Sequence, residues 1–163
     1  MKTFNLKIKK NIQIVFLGMF LLFLGILGSS IGFRINKSKS LPYKLFFSTS
    51  LRLSSIKKYS YISFHNHLFK YNLAKQVIGI EGDVLQIKDN RIFVSGVDRG
   101  LISQYSPMLK KKLFPLFLNG KEMKIPKEYF YVYAPADGSL DSRYSLIGLV
   151  HISQIKEKLW PLF

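Results

Sequence analysis

A chain of 163 residues with 25 Lys and Arg against 9 Asp and Glu, a formal net charge of +16, has room for one core and one short appendage. It has no cysteine, which excludes disulfides, thiolate metal centres and cysteine nucleophiles. Residues 1–80 hold 13 of the basic residues and no acid (+13), and residues 81–163 hold 12 basic and all 9 acidic residues (+3). A surplus of that sign suits anionic lipid or nucleic acid. No nucleic-acid recognition motif accompanies it and much of it flanks an apolar stretch, so membrane lipid is the expected partner and nucleic acid is not.

Residues 1–10 form a basic tail with Lys2, Lys7, Lys9 and Lys10. Asn11 to Phe33 then runs without a charged residue. A helix crossing about 30 Å of hydrocarbon needs about 20 residues at roughly 1.5 Å each, which this stretch supplies. Gly28, Ser29 and Ser30 would suit a processing site. The apolar part of a cleavable signal is usually only about 7–15 residues, however, so a retained transmembrane anchor at 11–33 is expected. Arg34, Lys37, Lys39 and Lys44 follow the stretch, so basic residues lie on both sides and the positive-inside rule leaves orientation open.

Residues 34–163 read as one mainly β domain. Tyr59 to Phe64, Val84 to Lys88, Arg91 to Val94 and Tyr129 to Tyr133 are short aromatic and β-branched runs, several of them alternating as half-buried strands do. Asp89-Asn90 predicts a two-residue hairpin turn, and Gly79, Gly82, Gly96, Gly120 and Gly138 mark others. Residues 98–128, with Lys110 to Lys112 and Pro107, Pro115 and Pro126, predict an irregular exposed excursion. Ile152 to Leu159 predicts a short helix ended by Pro161. Phe46, Phe47, Tyr59 and Phe64 suit either a membrane-facing surface or the core.

Amide hydrolysis by serine needs a hydroxyl, a base and donors for the oxyanion. Ser38 and Ser40 follow the apolar stretch, and Lys75 lies among Val77, Ile78 and Ile80. A lysine acts as base only when neutral, and apolar burial lowers its pKa from about 10.4 toward that state. His65-x-His67 has a spacing that can bind metal, but the third histidine, His151, is remote, so no metal and no other cofactor is expected. No nucleophile-elbow pattern supports a Ser-His-Asp triad.

Lys75-x-Val77-Ile78-Gly79-x-x-Gly82-Asp83 resembles the lysine box of the type I signal peptidase family, K-R-V-I-G-x-P-G-D, with Gln76 and Glu81 replacing the arginine and proline. Ile125 to Val132 resembles the strand leading to the last box, and Ser139-x-Asp141-Ser142-Arg143-Tyr144 is similar to that box, S-x-D-S-R-[YF]. Ordinary members place the nucleophile three residues before a proline, where this chain has Lys39. The conjugal-transfer (TraF-like) branch reads N-x-[TS]-x-S-x-P, which Asn36-Lys37-Ser38-Lys39-Ser40-Leu41-Pro42 matches at each fixed position. Departures include Lys44 in place of a frequent glycine, Ser145-Leu146 in place of Phe-Gly, and Ala134 to Gly138 in place of a segment with Gly-Asp-Asn.

The resemblance implies a signal-peptidase-like β catalytic domain with Ser40 as nucleophile and Lys75 as general base. It makes Ser38 an oxyanion helper, Ser139 the residue that orients the lysine, and Asp141 with Arg143 a brace, Asp141 also being a catalytic candidate in this branch. It further implies an enzyme of the inner membrane, with residues 1–10 cytoplasmic and the domain on the periplasmic side. Its work would be removing a leader or tail from an exported protein, a conjugative pilin precursor fitting best, after small residues. The alternative is a membrane-anchored scaffold of a conjugation or secretion apparatus that keeps the fold without the chemistry. Ser40 lies seven residues beyond Phe33, and such a tether reaches at most about 25 Å, close to the bilayer where such substrates present their scissile bond.

Overall fold

The structure, a computed structural model, describes residues 12–22, 25, 28, 31–38, 40–50, 56–107, 109–136 and 138–163. The chain divides into two compact units, residues 1–32 and 33–163. In the first, residues 12–22 form a helix, α1, with exposed side chains. Among the described residues no helix is long and apolar enough to cross a membrane. Several positions of the anchor expected at 11–33 lie outside the described residues. Its last three, Ile31, Gly32 and Phe33, lie in a strand, Ile31–Ile35. The strand continues through Arg34, which is anchored by an ion pair with Glu157 at 2.6 Å.

The strands in chain order are β1 (Ile31–Ile35), β2 (Leu45–Thr49), β3 (Tyr61–Phe64), β4 (Leu73–Gly79), β5 (Val84–Lys88), β6 (Arg91–Val94) and β7 (Val97–Leu101). They continue as β8 (Tyr105–Ser106), β9 (Lys111–Lys112), β10 (Glu122–Lys124), β11 (Tyr129–Tyr133), β12 (Val150–His151) and β13 (Ile155–Pro161). A seven-stranded sheet has the order β1-β2-β13-β3-β4-β11-β12, a four-stranded sheet the order β10-β5-β6-β7, and β8 pairs with β9 alone.

The four-stranded sheet follows from local chemistry. β5, β6 and β7 form a meander joined by two two-residue turns, Asp89-Asn90 with φ of 50° and 58° and Ser95-Gly96 with φ of 48° and 79°. Two successive positive φ angles match the right-handed twist of the flanking strands, and Asn, Asp and Gly tolerate them best. Alternation does the rest: Leu85 opposes Val94 and Ile87 opposes Ile92, and all four side chains are buried in the main core.

β4 carries the site lysine and lies inside the larger sheet, between β3 and β11. Gly79, at its end, is required by close packing. A Cβ there would fall 2.6 Å from Ile125 Cδ1 and 2.9 Å from Tyr131 Cβ, closer than side chains approach. Asp83 closes the turn into β5 by accepting the Ile80 amide at 2.9 Å, Lys58 Nζ at 2.7 Å and Ser95 Oγ at 2.8 Å.

The helix expected at 152–159 is a 3-10 turn, Ile152–Gln154, followed by β13. Its inward-facing Ile155 and Leu159 are four apart, a spacing that helix and strand share. Pairing with β2 on one side and β3 on the other decides for strand. The excursion at 98–128 is partly ordered: β8 pairs with β9, and β10 returns to pair with β5. Among the four aromatics with two possible settings, Phe46 and Phe64 are buried while Tyr59 is exposed. His65 and His67 follow β3 in a turn and do not share a strand face.

Candidate active site

The register of β4 puts Lys75 opposite Ile62 of β3, two positions before Val77 on the same face. Both apolar neighbours are fully buried, and Lys75 itself is only 4% exposed. Its amine donates a hydrogen bond to Ser139 Oγ at 2.9 Å. Burial lowers the pKa of Lys75 from 10.5 to about 8, with Asp141 pulling it up and Arg143 pushing it further down. At pH 7 about one such amine in ten is neutral, against about one in 3,000 for an exposed lysine.

Ser139 is delivered by the segment between β11 and residue 144, which Asp141 and Arg143 hold. Asp141 is fully buried and both its oxygens are engaged. Oδ1 accepts Arg143 Nε at 2.9 Å and the Arg143 amide at 3.2 Å; Oδ2 accepts an Arg143 terminal nitrogen at 2.9 Å and the Ala134 amide at 3.0 Å. Arg143 also donates to the carbonyls of Leu101 at 3.2 Å, Ala134 at 3.4 Å and Ser139 at 3.5 Å. Its guanidinium lies 4.9 Å from the centre of the Tyr133 ring. Burial alone would lower the pKa of Arg143, but the bond and charge of Asp141 hold it above the usual value. This pair ties residues 134, 139 and 143 together, and each Asp141 oxygen already accepts two hydrogen bonds.

The loop between β1 and β2 carries Ser38 and Ser40. Their hydroxyls are 2.7 Å apart, and the Ser40 amide reaches Ser38 Oγ at 3.4 Å. Lys39 lies outside the described residues. Ser38, Ser40, Lys75 and Ser139 all line one cavity of about 790 Å3, whose apolar wall includes Phe69, Leu73, Ala74, Ala136 and Leu140. Asp141 and Arg143 do not line it. Among the described residues no hydrogen bond joins Ser40 to Lys75: the serine is held by Ser38 and the lysine by Ser139. Free hydrolytic sites often show such loose geometry and tighten on binding substrate.

The role of Asn36 is not visible in the sequence, where it is only a fixed position of the serine box. Its side chain bonds four groups of the loop that carries Ser40. Alternating polar residues around Ser40 in the loop are the one signal that points to it. Among the described residues no cluster of three or more His, Asp or Glu could hold a metal ion.

The sequence matches the family described as signal peptidase, peptidase S26, over residues 8–160. Among solved structures, that of a signal peptidase I from Enterococcus faecalis V583 is similar, with 19% identity, coverage of 65% of this chain and 97% of that chain, and a TM-score of 0.42. That likeness is too slight for any residue to be carried across. No curated protein matches the sequence.

Proposed function

The chain belongs to the signal peptidase family, peptidase S26, and on that footing we propose a membrane-bound serine endopeptidase in which Ser40 and Lys75 form the catalytic dyad. The observation that carries this reading is a buried lysine amine, pKa about 8, lining the same cavity as a serine hydroxyl. In the proposed reaction Ser40 Oγ attacks the scissile carbonyl as its proton passes to neutral Lys75. The Ser40 amide and the Ser38 hydroxyl, whose mutual contact is a long 3.4 Å, turn to the oxyanion. The ammonium of Lys75 then returns the proton to the leaving amine, and water, deprotonated by the same lysine, cleaves the acyl ester to free Ser40. Ser139 keeps the amine oriented throughout.

The substrate proposed is the leader or tail of an exported protein, threaded as an extended segment with small side chains against Ala74, Ala136 and Leu140. A conjugative pilin precursor is favoured by the serine box Asn36-x-Ser38-x-Ser40-x-Pro42. The charge-free segment before β1 is proposed as the anchor, with the catalytic unit on the periplasmic side of the inner membrane.

Co-expression with a pre-pilin or a signal-peptide precursor tests the reading through the size of the product. The wild-type chain is expected to shorten the precursor, and Ser40→Ala and Lys75→Ala each to leave it uncut while remaining folded. Full processing by either variant rejects the dyad.

A further inference from the structure

We infer that Asn36 is a positioning residue for the attacking serine and that it acts through the Ser38 hydroxyl. This deepens the Ser40–Lys75 reading and rests on it.

The loop that carries Ser40 is closed by backbone, the Asn36 amide donating to Lys44 O at 2.8 Å. The Asn36 side chain fills its interior. Nδ2 donates to Tyr43 O at 3.1 Å and, more weakly, to Leu41 O at 3.5 Å. Oδ1 accepts the Ser38 amide at 3.1 Å and the Ser38 hydroxyl at 2.8 Å. The orientation of this amide is chemically determined, since carbonyls lie on one side and donors on the other. One side chain therefore fixes the chain both before and after the nucleophile.

A serine hydroxyl has one proton and accepts through its lone pairs. The oxygen of Asn36 can only accept, so it takes the proton of Ser38. The 2.7 Å contact between the serines is then donated by Ser40. Asn36 thus presents a lone pair of Ser38 to Ser40 and holds the nucleophile in one rotamer. The Ser40 proton must swing from Ser38 to Lys75 for attack; without Asn36, Ser38 and Ser40 would sample their staggered wells independently, and the ordered arrangement from which that swing starts would be a minority state. Ser38 is also held as a single hydroxyl that must leave Asn36 before donating to an oxyanion. Asn36 therefore sets the starting point of that switch. Asn36 also lines the cavity proposed to take the peptide, so a loss confined to kcat, with KM nearly unchanged, is what separates positioning of the nucleophile from contact with the substrate.

The test uses the full chain and a peptide spanning a precursor cleavage site, with Asn36→Ala, Ser38→Ala, the double variant and Asn36→Asp. Asn36→Ala is expected to lower kcat about 10- to 100-fold with KM within about threefold. Because the route runs through Ser38, the double variant should be no slower than the slower single variant. Asn36→Asp keeps the acceptor bonds to Ser38 but turns a carboxylate oxygen toward the carbonyls of Tyr43 and Leu41, to which Nδ2 donates, so it should be at least as slow as Asn36→Ala. Ser38→Ala, which removes no bond to those carbonyls, serves as the readout, with kcat lowered and KM kept, if the alanine variant of Asn36 fails to fold. Multiplicative losses in the double variant, a loss carried by KM, an unchanged Asn36→Ala, or an Asn36→Asp as fast as the wild type would each overturn the inference. Ser40→Ala and Lys75→Ala are run alongside. If these still cleave, the dyad itself fails; if they are dead and the Asn36 variants behave as wild type, only the role of Asn36 fails.

Discussion

Lys75→Met is expected to abolish hydrolysis and to leave the protein more stable than the wild type at pH 7. Loss of the proposed base should reduce kcat by at least about 10^3-fold. The stability gain follows from the cost of burying a cation. The folded pKa of about 8 lies below the ordinary 10.5, so between these values the unfolded chain binds more protons than the folded one. Stability therefore rises with pH across that window, and below pH 8 the folded state bears the whole penalty, about 3 kcal/mol at roughly 1.36 kcal/mol per pH unit. Methionine removes this penalty and forfeits one hydrogen bond to Ser139, worth about 1 kcal/mol. The net gain should be about 1–2 kcal/mol at pH 7 and should vanish as pH approaches 10. Denaturant unfolding at pH 7 and pH 10 measures both ends. A variant equally inactive but less stable at pH 7 would mean that the wild-type site does not strain the lysine.

Asp141→Ala should be the most destabilising single change near the site. It removes four hydrogen bonds and leaves the Arg143 guanidinium buried without its anion. Breaking one partner of a buried pair costs about 3–5 kcal/mol, whereas replacing both by apolar groups is often nearly neutral. Adding Arg143→Met to Asp141→Ala should therefore recover most of the loss, which unfolding free energies of the two singles and the double would show. The charges act on Lys75 as well. Asp141 raises its pKa and Arg143 lowers it, so Asp141→Ala should move the titration of Lys75 below 8 wherever the variant still folds. Additive losses in the double variant would show that the pair is not the brace described here.

Much of the fold was legible because its signals are local. β5, β6 and β11 have the bounds that alternation and aromatic runs suggest, and Asp89-Asn90 forms the turn its composition calls for. β2 was not legible, since Leu45 to Thr49 does not alternate by polarity. Ser48 is fully buried there and hydrogen-bonded to Glu157 from β13, a partner 109 residues away. β13 was misread for the matching reason: Glu157 in its middle looks solvated until Arg34 and Ser48 are brought to it. At the site, Lys75 bonds Ser139, 64 residues away, and Asp141 pairs with Arg143, two residues on. The burial of Lys75 depends on β3, itself followed by a chain reversal, and on β11, more than fifty residues later, so no local pattern discloses it. Asn36 was visible as a letter in a motif, and its function emerges only when the loop returns its own carbonyls to it.

Burial is proposed to supply Lys75 as a neutral base, and the pH dependence of kcat/KM for peptide cleavage reads that state of the amine. The rate should climb tenfold per pH unit from pH 6 and level off near pH 8, where Lys75 loses its proton. A profile still climbing in the same way past pH 10, as an ordinary solvated lysine would give, or one flat from pH 6 upward would contradict it.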